Sequence, residues 1–255
     1  MTGAGPRNLT GGPIEWLHIP KAGTSFGNTL LLWACPELNA SVTWVTNEEV
    51  LPLPASCLAR FRTNERKKWP IGNHVPLAGR SEAELHNVFT LIRHPHSRAV
   101  SGFHYLTDYK RVGATRYEIC DYVRSHPEAH VNLGAQVKFV TGEAEFTWPS
   151  NFAMTAKYAP LPPDSLVEAA CARLRAFAFV GLSEHWNATV CLFHAMYGGP
   201  VHGVELHNVR KGKYGGVGLF HSLDCGDTAD ERLYACAKEL FLERMEQHPH
   251  CIRSM

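Results

Sequence analysis

The sequence predicts an α/β protein, a parallel sheet flanked by helices, on three observations. Residues 14–19, 87–92 and 177–182 are short apolar runs with the β-branched and aromatic content of buried strands. Segments with helical spacing of apolar residues follow each run. No internal repeat or low-complexity tract interrupts the alternation, so the expected organisation is one α/β domain over residues 14–255. Residues 1–13 read as a flexible lead-in.

The first strand ends at Pro20, and Lys21-Ala22-Gly23-Thr24-Ser25 form a small-residue loop before an apolar helix. A strand, a turn carrying one lysine and paired hydroxyls, and a helix start together suit an anion. Backbone N–H groups at the helix start point into the turn, and the helix dipole adds positive potential there. Lysine supplies a compact point charge for a phosphate or sulfate oxygen. The loop is not the nucleotide-hydrolase P-loop, because GxxxxGK[ST] is absent and the lysine precedes the glycine. An ordinary strand–helix turn is the competing reading.

Pro36, Pro52 and Pro54 punctuate the next region, which ends in a basic run over residues 60–68; a solvated face competes there with contact to an anionic substrate. Gly72-Asn73-His74-Val75 follows. The second strand stops at Arg93-His94-Pro95, with a helix expected over 96–105 and Pro95 fitting its first turn. Arg93 thus falls at the carboxyl end of a strand, where open parallel sheets bind ligands, and Arg98 and Ser101 lie on the helix behind it. A surface arginine beside a turn is the alternative for Arg93.

Helices are expected over 117–125 and 129–142, the latter holding Asn132, Gln136 and Lys138, and a covering loop over 147–163. Ser165-Leu166-Val167-Glu168 has the capping-box pattern for a helix reaching residue 176. After the third strand, a helix over 184–197 is closed by Gly198-Gly199. Residues 208–216 form a glycine-rich basic loop containing Arg210-Lys211-Gly212, suited to close backbone approach to a phosphate or else a disordered surface loop. Thr228-Ala229-Asp230-Glu231 caps a last helix whose Leu233, Ala237, Leu240, Phe241 and Met245 make one apolar stripe, expected in the core.

Composition is that of a globular chain, and a formal net charge of +1 indicates neither nucleic acid nor an acidic membrane surface as partner. No run of 18 or more apolar residues is present, so no membrane helix is expected, and the N-terminus lacks the apolar core of a signal peptide. The eight cysteines contain no CxxC pair, which argues against a zinc ribbon. Disulfides and small buried thiols remain alternatives. Asn8, Asn39 and Asn187 open Asn-x-Ser/Thr triplets, which also arise by chance. The compartment stays open: the Golgi lumen if a native N-terminal anchor precedes this chain, the cytoplasm otherwise.

Three segments in order resemble the sulfotransferases that use 3′-phosphoadenosine 5′-phosphosulfate (PAPS), most closely the heparan and chondroitin (carbohydrate) branch. LHIPKAGTSF, residues 17–26, is similar to that family's 5′-phosphosulfate loop. TLIRHPHSRAVS, residues 90–101, is similar to its 3′-phosphate segment, R-[DN]-P-x-x-R-x-x-S after a strand, with His94 where Asp or Asn is usual. FVGLSEHW, residues 179–186, resembles its FVGLTE-type strand and helix start.

The resemblance implies a P-loop-NTPase-like sulfotransferase fold and transfer of a sulfuryl group from PAPS to an acceptor hydroxyl, leaving 3′,5′-phosphoadenosine. It implies that Lys21, Ala22, Gly23, Thr24, Ser25 and Phe26 hold the 5′-phosphosulfate, and that Arg93 and Ser101 hold the 3′-phosphate. Arg210-Lys211-Gly212 also looks like the segment with which cytosolic members clasp the 3′-phosphate. Gly72-Asn73-His74-Val75 resembles the stretch carrying the catalytic histidine of the heparan 2-O branch, making His74 the expected base, with His18 second. Asn132, Gln136 and Lys138 are similar to a segment of that branch near donor or acceptor. No metal is expected, since protein cations can neutralise the donor's charge. A glycan is the first acceptor expected, a small-molecule alcohol or amine the next. A P-loop-like kinase or nucleotide hydrolase, and a non-catalytic module that binds PAPS or its product, are the alternatives.

Overall fold

The structure, a computed structural model, describes residues 12–45, 51–62, 74–106, 116–125, 133–143, 161–207 and 225–254. Its centre is a three-stranded parallel sheet in the order β1 (Glu15–Leu17), β2 (Val88–Ile92), β3 (Phe179–Leu182). Leu17 pairs with Thr90, Thr90 with Val180, and Ile92 with Leu182. Every residue of β2 and β3 is buried, as expected for strands covered on both faces. The expected α/β class with a parallel sheet flanked by helices is therefore present, and all three strands end on the same edge.

Helix α1 (Phe26–Ala34) follows β1; α2 (Ala55–Leu58) and α3 (Glu82–Leu85) are single turns before β2. After β2 come α4 (Pro95–Leu106), α5 (Arg116–Ser125), α6 (Ala135–Thr141) and α7 (Asp164–Ala176). A 3-10 turn, Ser183–His185, joins β3 to α8 (Trp186–Tyr197); α9 (Thr228–Glu246) closes the core. No described helix is long and apolar enough to cross a membrane.

The main core holds a cluster of rings packed on one face of the sheet. Phe26 stacks on Phe179 with centroids 5.5 Å apart, and Phe193 of α8 meets Phe26, Phe89 and Phe179 at 5.4–6.0 Å. The stripe Leu233, Ala237, Leu240, Phe241 and Met245 is buried in this core, as its spacing implies. A smaller cluster of Ala99, Phe103, Ile119, Cys120, Val123 and Cys225 fills the space between α4 and α5.

Several helix boundaries differ from the sequence reading, each for a local reason. Helix α9 is capped by Asp227, whose carboxylate accepts the Asp230 N–H, so Thr228 is already inside the helix. Helix α7 starts at Asp164 after extended Pro163, which places Ser165 within the first turn rather than at the cap. Helix α6 starts at Ala135, after Gly134 in a left-handed conformation (φ 66°); residues 129–132 of the expected helix lie outside the described residues.

Candidate active site at the carboxyl edge of the sheet

The loop after β1 has a backbone that few sequences tolerate. Lys21 has φ 65°, the one non-glycine residue in the left-handed region among those described. Gly23 follows at φ 116°, and a Cβ there would lie 2.7 Å from Leu91 Cδ1 and 3.3 Å from Ser183 Oγ. The turn thus needs glycine both for its torsion and for close packing. The Ala22 N–H bonds the Ile19 carbonyl and the Phe26 N–H bonds that of Gly23. The N–H groups of Gly23, Thr24 and Ser25 make no backbone hydrogen bond among the described residues. Three adjacent donors thus sit at the start of the nine-residue α1.

Of the residues expected to hold a 5′-phosphosulfate, Phe26 has its side chain in the core and its N–H committed to the turn. Its part is to anchor the loop. Thr24 and Ser25 are buried, and the Thr24 hydroxyl lies 3.0 Å from His18 Nε2.

Arg93 comes to this loop from the end of β2. Its Nη1 donates to the Lys21 carbonyl at 3.0 Å, with the side chain 30% exposed. Gln136 of α6 fixes the Arg93 backbone from both sides, accepting its N–H at 3.0 Å and donating to its carbonyl at 2.8 Å. Burial pulls the Arg93 guanidinium below its ordinary pKa, while the Glu184 carboxylate, 3.9 Å from Nε, acts in the opposite sense.

Sequence reasoning passed over two residues at the end of β3. Ser183 Oγ donates to the Ala22 carbonyl, and Glu184 accepts the His94 N–H at 3.0 Å while pairing with Arg93. Partial burial raises the Glu184 pKa against the pull of Arg93. Burial and the Glu184 carboxylate, to which it is hydrogen-bonded, push the Tyr234 phenol above its ordinary value. The signal available in sequence was position, since both residues directly follow a buried parallel strand.

The His74 ring lies tilted by 39° against that of His18 with centroids 4.3 Å apart, and its Nδ1 is 2.8 Å from the His18 carbonyl oxygen. A carbonyl can only accept, so Nδ1 carries the proton and Nε2 bears the lone pair in the neutral ring. His18 itself is buried between Trp16 and His74.

Ser101 lies on α4, six residues past Pro95 and so about 9 Å along the axis, and it is partly exposed. His94 Nδ1 accepts the His96 N–H at 3.3 Å, so the ring nitrogen does the local work of a short carboxylate or amide there. Arg98, the second arginine of the segment, is a structural group. It is 1% exposed and reaches Asp230 at 2.9 Å and Asp227 at 3.7 Å. Lys138 donates to the Leu133 carbonyl, its pKa lowered by burial. Arg210, Lys211 and Gly212, like Asn132, lie outside the described residues.

The donor set of the site is backbone amides, one lysine and one partly exposed arginine, which fits a ligand carrying several negative charges. No family model matches the chain, and no curated protein and no solved structure matches it either.

Proposed function

We propose that this chain is a sulfotransferase of the P-loop-like α/β kind, using PAPS as donor and a hydroxyl as acceptor, with a glycan as the first acceptor class. One observation carries the reading. The left-handed loop at Lys21, with three adjacent amides that have no backbone partner among the described residues, is held by Arg93 from the neighbouring strand end. Two anion-binding segments 72 positions apart thus meet at one edge, as a two-ended phosphate clamp requires.

When bound, the donor supplies an activated sulfuryl group on a phosphate leaving group. The amides of Gly23, Thr24 and Ser25 hold the 5′-phosphosulfate. Lys21 neutralises the charge that grows on the bridging oxygen as the sulfur–oxygen bond breaks. Arg93 and Ser101 hold the 3′-phosphate, Arg93 through the part of its guanidinium not used on the Lys21 carbonyl. His74 takes the acceptor's proton at Nε2 as the acceptor oxygen bonds to sulfur in line. Arg210, Lys211 and Gly212, which lie outside the described residues, are further expected contacts to the 3′-phosphate.

A transfer assay with labelled PAPS across glycans, phenols, peptides and small alcohols tests this. Labelled product from at least one class is the expected result. Magnesium-dependent ATP turnover without sulfate transfer would replace the reading with a kinase or nucleotide hydrolase. Tight binding of 3′,5′-phosphoadenosine with no transfer to any acceptor would leave a non-catalytic binding module.

A further inference from the structure

All eight cysteines are paired, as Cys35–Cys57, Cys120–Cys225, Cys171–Cys236 and Cys191–Cys251. Three of these bridges join positions 60 or more residues apart, and one, Cys171–Cys236, ties α7 to α9. Four such bonds form and persist in an oxidising compartment and are rare where thiols are kept reduced. The same compartments are where Asn-x-Ser/Thr acceptors meet the machinery that modifies them.

Two of the three triplets can be compared. Asn187 is exposed near the start of α8, but the Thr189 hydroxyl is buried and spent on β3, donating to the Leu182 carbonyl at 2.9 Å and accepting its N–H at 3.1 Å. Asn39 and Ser41 are both exposed, on the loop after α1. Asn39 Oδ1 accepts the Ser41 N–H at 2.9 Å, and the Asn39 carbonyl accepts Trp44 Nε1 at 3.1 Å. The disulfide from Cys35, at the end of α1, to Cys57 fixes the base of this loop.

We propose that Asn39 carries an N-linked glycan and that the chain matures in the oxidising lumen of a secretory pathway. With Oδ1 committed to the turn, Nδ2 is the end of the carboxamide available for reaction. Nδ2 attacks the anomeric carbon of a lipid-diphosphate-linked oligosaccharide. A carbon–nitrogen bond replaces the carbon–oxygen bond to the diphosphate, the amide proton passes to the transferring enzyme's base, and the lipid diphosphate departs. No oxidation or reduction is involved. The glycan sits beyond the carboxyl end of α1, whereas the candidate loop is at its amino end. Nine helical residues span about 14 Å, so the modification leaves the loop uncovered.

The test is expression of the full chain behind a secretion signal in eukaryotic cells, with peptide mapping of the protein from the luminal fraction. Expected are four intact disulfides and a glycan whose enzymatic removal in heavy-oxygen water converts residue 39 to labelled aspartate. Asn39→Gln and Ser41→Ala should each lose that one glycan step on a gel, while Asn187→Gln keeps it. Ser41→Ala leaves the asparagine and its bond to the residue-41 N–H in place, so it separates loss of the acceptor sequence from a change in the turn. An unmodified residue 39 in a fully oxidised luminal chain overturns the proposal, as does a luminal chain with free thiols.

Discussion

Arg93 Nη1 donates to the Lys21 carbonyl oxygen at 3.0 Å, joining the ends of two parallel strands through a bond from a cation to the backbone of a left-handed residue. The Arg93 backbone is itself held by Gln136 on α6. The N-terminal amides of that helix are in turn held by Asp230, which accepts the N–H groups of Gln136 and Val137 at 3.1 and 3.0 Å. Arg93 therefore supports the loop's shape as well as supplying charge. A hydrogen bond involving a charged group contributes about 1.5–3 kcal/mol. Arg93→Ala should accordingly weaken binding of 3′,5′-phosphoadenosine roughly ten- to hundredfold. Calorimetric titration measures this, with an unchanged far-ultraviolet circular dichroism spectrum as the control for folding. Binding within twofold of wild type would remove Arg93 from the clamp.

Lys21 has two properties that substitution can separate, its charge and its left-handed backbone. Lys21→Ala removes the charge and keeps a Cβ at φ 65°; Lys21→Gly removes both the charge and the steric cost. Both variants should lose transfer by about 10²–10³-fold if the ammonium stabilises the leaving oxygen. The glycine variant should nonetheless be more stable than the alanine variant, by about 1 kcal/mol. Thermal melts and single-turnover rates read the two effects. Equal stability would mean the turn relaxes without strain, and retained transfer would remove Lys21 from the chemistry.

His74 offers a similar separation between its two nitrogens. Its Nδ1–H is spent on the His18 carbonyl, a contact that an asparagine side-chain N–H can reproduce, whereas the Nε2 lone pair has no counterpart in asparagine. His74→Asn should therefore keep binding of 3′,5′-phosphoadenosine and the melting temperature while lowering kcat by about 10²–10⁴-fold. A kcat near wild type assigns proton removal to another group.

Much of the frame was legible because burial leaves a direct mark on sequence. VFTLI and FVGL could be read as strands since both faces of a central parallel strand are apolar, and the α9 stripe follows helical spacing. Helix starts were less legible because neighbouring groups compete for the same amides. Asp227 takes the cap that Thr228-Ala229-Asp230-Glu231 suggested, and its Oδ1 also accepts the Gly134 N–H from another element. Side-chain roles that depend on contacts distant in sequence were legible only in part. Arg98 looked like one more cation of an anion-binding segment, and nothing local to it signals that Asp227 and Asp230, 129 and 132 positions on, enclose it. The cysteines showed the same limit, since pairing is a property of the folded chain rather than of spacing.

The cluster of Arg98, Asp227 and Asp230 makes stability depend on pH in a direction unusual for a carboxylate near an arginine. Burial first, and then the Asp230 charge, raise the Asp227 pKa from 3.8 to about 7, outweighing Arg98 and the two backbone N–H groups that favour the ionised form. Between those values the folded chain holds a proton that the unfolded chain has released. The stability this group contributes is therefore full below about pH 4 and is lost as pH rises through about 7. Asp227→Asn keeps an oxygen to accept the Gly134 and Asp230 N–H groups and removes the titration. Urea unfolding at intervals from pH 4.5 to 8 should show wild type losing stability relative to the variant across that window. Parallel curves for the two proteins would show that Asp227 is already ionised throughout, and that Arg98 holds both carboxylates as charges.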